Sequence, residues 1–208
     1  MSGLKDATAF EDTFFTISFP CEGLFKERNS KFYFFAFPVD TEDQIKENFR
    51  KLRKTYFDAR HHCFALVLGK NGDHFRAFDD GEPNHSAGDP ILGQIRSKGL
   101  TNILIVVIRY FGGTKLGMSG LIQAYKTAAA LAIENSEIIQ KQVLAELEIQ
   151  FPYASMNEVM RRVKYYDLQI TSQEMNLDCF MRLTFREGIK ESVFSGLTEV
   201  KGLELISS

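Results

Sequence analysis

The stretch that decides the fold is Asn102-Ile103-Leu104-Ile105-Val106-Val107-Ile108-Arg109-Tyr110, followed by Phe111-Gly112-Gly113-Thr114-Lys115-Leu116-Gly117-Met118-Ser119-Gly120. Within it, Ile103 to Ile108 is apolar at successive positions, so both faces of a strand would be buried, which marks an inner strand. The glycines after it let the backbone turn tightly and expose N–H groups at a helix start, an arrangement that attracts anions. Arg109 and Lys115 add positive charge there. The loop is not a phosphate-binding Walker sequence, because Met118 stands where lysine is required, and the dinucleotide fingerprint Gly-x-Gly-x-x-Gly is absent. A tight structural turn, with Arg109 paired to an acidic loop, explains the same residues equally well. Leu121 to Glu134 continues as an Ala-rich helix able to pack closely.

Upstream lies Asp79-Asp80-Gly81-Glu82-Pro83-Asn84-His85-Ser86-Ala87-Gly88-Asp89. Its carboxylates and histidine are candidates for binding or acid–base work. Gly81 and Pro83 are equally turn residues, and Ser86 or Asp89 could cap the short helix expected over Pro90 to Lys98. The spacing matches no metal motif. Before this loop, His62 to Gly69 reads as a strand with Cys63, Ala65 and Val67 on one face and Phe64, Leu66 and Leu68 on the other. Asn71-Gly72 is a turn signal, and His74 to Phe78 the return strand. His61 and His62 are adjacent and would point to opposite faces, so they do not share one metal.

Thr41 to Phe57 has helical periodicity, with Ile45, Phe49, Leu52 and Tyr56 recurring on one face. Thr41 suits the cap, and Glu42 and Asp43 suit the positive end of the dipole. Lys46, Arg50, Lys51, Arg53 and Lys54 crowd the outer surface, as a solvated face or as a basic docking surface. Lys31 to Val39 is an aromatic inner strand and Thr13 to Phe19 a first strand, with a polar stretch, Glu22 to Asn29, between them.

Downstream, strand patterns at Val143 to Phe151, Leu168 to Gln173, Leu177 to Phe185 and Val200 to Ile206 enclose helical patterns at Ser155 to Tyr166 and Ile189 to Leu197. The order β-α-β-β-α-β is that of a ferredoxin-like fold. Two domains are therefore expected, residues 1–140 and 141–208, in an α+β protein.

The chain has 208 residues, a net charge of -2 and 44% hydrophobic residues, too apolar for a disordered chain. No apolar run is long enough to span a membrane. Met1 to Glu11 lacks the charge and apolar pattern of a signal peptide. Cys21, Cys63 and Cys179 lie far apart and form no CxxC, which suits a reducing cytoplasm. Near-neutral charge argues against a general nucleic-acid coat but leaves room for a local basic patch.

Gly88-x-x-Ile91-Leu92-x-x-Ile95, Leu100 and Val106-Val107-x-Arg109-Tyr110-Phe111-Gly112-Gly113-x-x-Leu116-Gly117 resemble the signature of the IMPACT/YigZ family. Asp79-Asp80-Gly81-Glu82-Pro83, Ala87-Gly88 and His61-His62-Cys63 match it too. One departure is visible: bacterial members often carry Ser-Gly-Thr where this chain has Asn84-His85-Ser86. The resemblance covers nearly the whole chain. It implies an N-terminal domain of the ribosomal protein S5 domain 2 type, and a C-terminal ferredoxin-like domain similar to domain V of elongation factor G. It brings no established catalytic activity, metal or cofactor. In eukaryotic relatives the domain acts in translational control. The expectation is thus a cytoplasmic, non-enzymatic binding protein that touches the ribosome, RNA or a translation-associated protein. The candidate binding residues are Lys46, Arg50, Lys51 and Lys54 on the helix, and Arg109, Gly112, Gly113, Lys115 and Gly117 at the glycine loop. The alternative is an enzyme acting on a small phosphorylated or peptide-like substrate, with Asp80 or Glu82 as base or ligand and Arg109 as anion clamp.

Overall fold

The computed structural model describes residues 12–207, so the N-terminal segment read for a leader lies outside the described residues. The chain forms two compact units. One is Phe14–Lys141, and the other is the C-terminal part from Gln142, joined by Asp12 and Thr13.

The larger unit is built on five strands: β2 (Cys21–Glu27), β3 (Ser30–Pro38), β4 (His61–Leu68), β5 (His74–Phe78) and β6 (Ile103–Tyr110). They form one antiparallel sheet in the order β2-β3-β6-β4-β5. The decisive strand, β6, is the middle one. That position is why Ile103 to Ile108 is apolar on both faces, with every one of those side chains buried. Two further strands, β1 (Thr13–Ile17) and β7 (Ile138–Gln142), pair with each other in a separate two-stranded sheet, and β1 also forms a parallel bridge between Phe15 and Leu100.

Helices cover both faces of the sheet. Helix α1 (Glu42–Thr55) sets Ile45 and Leu52 against Phe35, Phe64, Leu66, Leu104, Val106 and Ile108. Thr41 caps it, its hydroxyl accepting from the Gln44 N–H at 3.3 Å. On the other face, α2 (Gly88–Ser97) and α3 (Gly117–Glu134) pack over Phe32, Phe34, Ala36, Cys63, Ala65, Ile105 and Val107. The small side chains Ala124, Ala128, Ala129 and Ala132 bring α3 close to the sheet. The opposite faces read for β4 from its alternation are the ones observed.

The polar stretch Glu22 to Asn29 differs from its sequence reading, because Cys21 to Glu27 is strand β2. It is an edge strand, half-exposed at alternate positions, so it lacks the apolar run of an inner strand. Gly23 weakens the local signal further, and its missing side chain is filled from the next strand: the Phe34 ring covers it so closely that a Cβ there would overlap the ring. Strand β7 is short and mostly exposed, and was likewise not legible from periodicity.

The smaller unit contains β8 (Leu144–Pro152), α4 (Met156–Tyr165), β9 (Gln169–Glu174), β10 (Asp178–Arg186), α5 (Lys190–Thr198) and β11 (Glu204–Ser207). The sheet order is β11-β8-β10-β9, and the observed pairs are antiparallel. This is the ferredoxin-like arrangement, in which the two central strands are the first and third. Leu147, Ile149, Phe151, Met181, Leu183 and Phe185 form its core with Val159, Val163, Val193 and Leu197 of the helices. Asp12 is held in this unit: its carboxylate takes Arg186 in two hydrogen bonds of 2.8 and 3.0 Å.

Candidate functional site

The acidic loop between β5 and α2 is tied into the protein at each carboxylate. Asp79 Oδ1 accepts from the N–H groups of Ala87 and Gly88 at 2.9 Å each, and its Oδ2 from the N–H of His85 at 2.8 Å. Asp79 thus caps α2 from eight residues upstream, a role that local sequence rules assign to Ser86 or Asp89. Asp80 Oδ2 accepts from the His62 N–H at 2.7 Å and Oδ1 from Arg53 at 2.7 Å, joining loop, β4 and α1. Its carbonyl lies 2.9 Å from His61 Nδ1.

Glu82 reaches furthest inward. Its Oε1 accepts from Arg109 Nη1 at 2.7 Å and from the Tyr125 hydroxyl at 2.8 Å. The side chains of Glu82 and Arg109 are 4% and 7% exposed, so this is a buried ion pair. The Cys63 thiol lies 2.9 Å from the Asp79 carbonyl oxygen and 3.3 Å from the Tyr125 hydroxyl. Burial pushes both the Cys63 thiol and the Tyr125 hydroxyl well up, so both stay protonated at neutral pH. Loop, central strand and α3 are thereby stitched together under the sheet. His62 is also buried, and its pKa is lowered by desolvation, which favours the neutral ring.

The glycine loop is shaped by close approach. A Cβ on Gly112 would fall 2.0 Å from the Asn29 carbonyl carbon and 2.2 Å from the Ser30 nitrogen, so only glycine fits there. Gly112 N–H also donates to Ser30 Oγ at 3.2 Å. Gly113 and Gly117 have φ of +88° and +74°. Gly117 opens α3, and Leu116 before it offers no capping side chain.

Lys115 is carried by this loop to the rim of a groove with a volume of about 470 Å³. Arg60 and His61, from the start of β4, line the groove with Lys115. Arg109, almost wholly buried, and Tyr110 also line it, with Phe111 57% exposed. Asp58 is the single carboxylate among the lining residues; it accepts from the Tyr110 hydroxyl at 2.5 Å. Burial, followed by this contact, pushes Tyr110 up to about 12. The Arg109 guanidinium lies 5.8 Å from the Phe111 ring and 5.6 Å from the Phe32 ring. Its Nε is buried without a hydrogen-bond partner.

The structure therefore places Arg109 and Lys115 in one groove. It places Glu82 beneath the surface and Asp80 partly exposed, each engaged by an arginine. The helix cations lie elsewhere and are largely engaged within the protein. Lys46 pairs with Asp43, Lys51 with Glu47 and Arg53 with Asp80. Arg50 and Lys54 form no ion pair among the described residues. Sequence reasoning missed Asp58, Arg60 and Tyr125 as members of the site. For Tyr125 a signal existed: a lone tyrosine in an Ala-rich helix needs a polar partner for its hydroxyl. Asp58 and Arg60 offered none, because they become neighbours of Lys115 only through the sheet. Among the described residues, no group of three or more His, Cys, Asp or Glu is placed to hold a metal ion. None of the helices there is long and apolar enough to cross a membrane.

These features define a two-domain α+β protein, a unit built on a five-stranded antiparallel sheet followed by a ferredoxin-like one. Residues 28–133 match the Impact N-terminal domain model. An IMPACT family member of Haemophilus influenzae is 32% identical over 189 residues, covering 88% of this chain and 91% of that protein. The IMPACT family member YvyE of Bacillus subtilis is 30% identical over 152 residues, covering 73% and 70%. A solved crystal structure, described only as that of a hypothetical protein, superposes with a TM-score of 0.73 at 25% identity, covering 96% of this chain and 98% of the other. The chain belongs to the IMPACT family.

Proposed function

We propose that this protein is a non-enzymatic binding protein of translation, which contacts the ribosome's RNA through the groove at the end of β6. The observation that carries the reading is the convergence of Arg60, His61, Arg109 and Lys115 beside the exposed Phe111, against Asp58 at the groove and Glu82 paired with Arg109. A cationic hollow of this kind concentrates phosphate even where net charge is near zero, because its field is local. Membership of the IMPACT family, with the link to translational control that the resemblance implies, selects the ribosome as the place to look. The ferredoxin-like sheet supports such a role less well. Its groove of about 240 Å³ includes Glu148 and Glu174, and Arg182 there is paired with Glu148.

The enzyme reading finds less support. A base or metal ligand in the acidic loop must be free to act, yet Asp79, Asp80 and Glu82 are each held by N–H groups or an arginine. The test is cosedimentation with ribosomes of the source organism at low and high salt. Binding that falls with salt, and is lost in Arg60→Glu/Lys115→Glu, supports the reading. Binding that survives the double substitution refutes the groove, and absence of binding at any salt refutes the ribosomal role. Lys51→Glu/Lys54→Glu serves as the comparison: a loss there, with the groove variant unaffected, moves the contact to α1.

A further inference from the structure

Resting on the groove reading above, we infer that the groove takes one unpaired nucleotide of single-stranded RNA, its phosphate on the cations and its base on Phe111. Three observations converge on this ligand.

The first is Arg109. It is a cation almost wholly withdrawn from water, engaged by Glu82 at Nη1 alone, with Nε unpartnered. A guanidinium carries five N–H donors, and leaving a buried one unbonded costs free energy. A phosphate entering the groove would meet the 7% of the Arg109 side chain left exposed there, beyond the Nη1 contact that Glu82 makes. Glu82 then has two roles: it holds the guanidinium plane in place, and it keeps the free protein from burying a lone charge. Tyr125 fixes Glu82 in turn through its 2.8 Å hydrogen bond.

The second is the form of the rim. Arg60 and Lys115 come from different parts of the chain and line the same groove, and both are exposed. Long cations on a groove edge can follow a bound phosphate without a fixed geometry. One phosphate unit can therefore be met by Arg109 and by the two exposed cations that share the groove with it.

The third is Phe111. A large apolar ring that is 57% exposed is poorly placed for packing. Beside a guanidinium it is well placed to stack a base, since base–aromatic stacking tolerates any sequence. The volume, about 470 Å³, falls within the range of small-ligand clefts and suits a nucleotide rather than a duplex. A paired base keeps its faces inside the helix and would leave the ring unused. Asp58 sits at the same groove but repels phosphate, so the phosphate lies toward Lys115 and Arg109.

The probe is fluorescently labelled hexauridylate, titrated with the full-length protein, beside a duplex RNA of equal length. The expected result is binding of the single strand in preference to the duplex. Its affinity should fall with salt at a log–log slope of about -0.7 for each phosphate contacted. Phe111→Ala should weaken binding about tenfold or more without changing that slope, because stacking is not ionic. Lys115→Glu should weaken it and flatten the slope. Arg109→Lys keeps a charge in the groove and should still lose affinity; circular dichroism checks that it folds, and Phe111→Ala does not depend on that check. Equal binding of duplex and single strand, or an unchanged affinity in Phe111→Ala, overturns the inference. If hexauridylate fails to bind while ribosomes still cosediment in a Lys115-dependent way, the ligand assignment is wrong and the translation reading stands. If both fail, both are wrong.

Discussion

Replacing Glu82 by glutamine is the most demanding test of how the groove is built. The change is nearly isosteric and leaves an acceptor for the Tyr125 hydroxyl, but it removes the charge opposite Arg109. Both side chains are less than a tenth exposed. A guanidinium so placed recovers little hydration when its partner is lost, and breaking a buried pair typically costs about 3–5 kcal/mol. With a urea dependence of about 2 kcal/mol per molar, the midpoint for unfolding of the larger unit should fall by about 2 M. The chain has no tryptophan, so far-UV circular dichroism is the suitable signal. Arg109→Met should cost a similar amount, because it strands Glu82. The double variant removes both charges together, and apolar replacement of a buried pair is often close to neutral. It should therefore be no worse than either single variant, giving a coupling of at least about 3 kcal/mol in the cycle. Additive costs, or a loss below about 1 kcal/mol for Glu82→Gln, would refute the reasoning, since they would mean water reaches the pair and screens it.

Gly112→Ala should destabilise by about 2 kcal/mol in thermal melting, because its Cβ meets backbone rather than a side chain that could rotate away. Gly113→Ala, with open space but φ of +88°, should cost about 1 kcal/mol; a smaller loss at Gly112 than at Gly113 would contradict the close approach. Asp79→Ala should cost about 2 kcal/mol in the same assay by removing the cap of α2, while Asp89→Ala should change stability by less than about 0.5 kcal/mol. His85 occupies the left-handed region at φ of +64°, which favours glycine. His85→Gly should accordingly be tolerated, whereas His85→Val should cost about 1–2 kcal/mol. Arg186 holds the Asp12 carboxyl below its ordinary value of 3.8. A group depressed in the folded state contributes stability above its unfolded pKa and loses it as pH falls through the folded one. The smaller unit should therefore lose stability as pH drops below about 4, and Asp12→Asn should remove that dependence; an unchanged acid profile would count against the pair.

The elements legible in the sequence were those whose burial leaves a local imprint. Strand β6 is apolar from Ile103 to Ile108 because it is covered on both sides, and α1 shows its stripe because one face meets the sheet. The ferredoxin-like order of the smaller unit followed from the alternation of such segments. Strand β2 left no imprint, since an edge strand buries one face only and Phe34, from its neighbour, fills the space at Gly23.

The site divides along the same line. The glycine loop, the acidic loop and Arg109 stood out by composition, and the family signature singled out the same residues. What the sequence by itself determined was therefore the architecture and the set of residues without which its loops cannot close. What only the tertiary structure decided was their division of labour. Asp79, Asp80 and Glu82 turn inward to N–H groups and arginines, while Arg60 and Lys115 meet at a groove beside Phe111. The physical reason is that a carboxylate's role depends on which donors reach it. Those donors, Arg53, Arg109 and the start of α2, are brought to the loop by sheet pairing and helix packing, which local sequence does not encode.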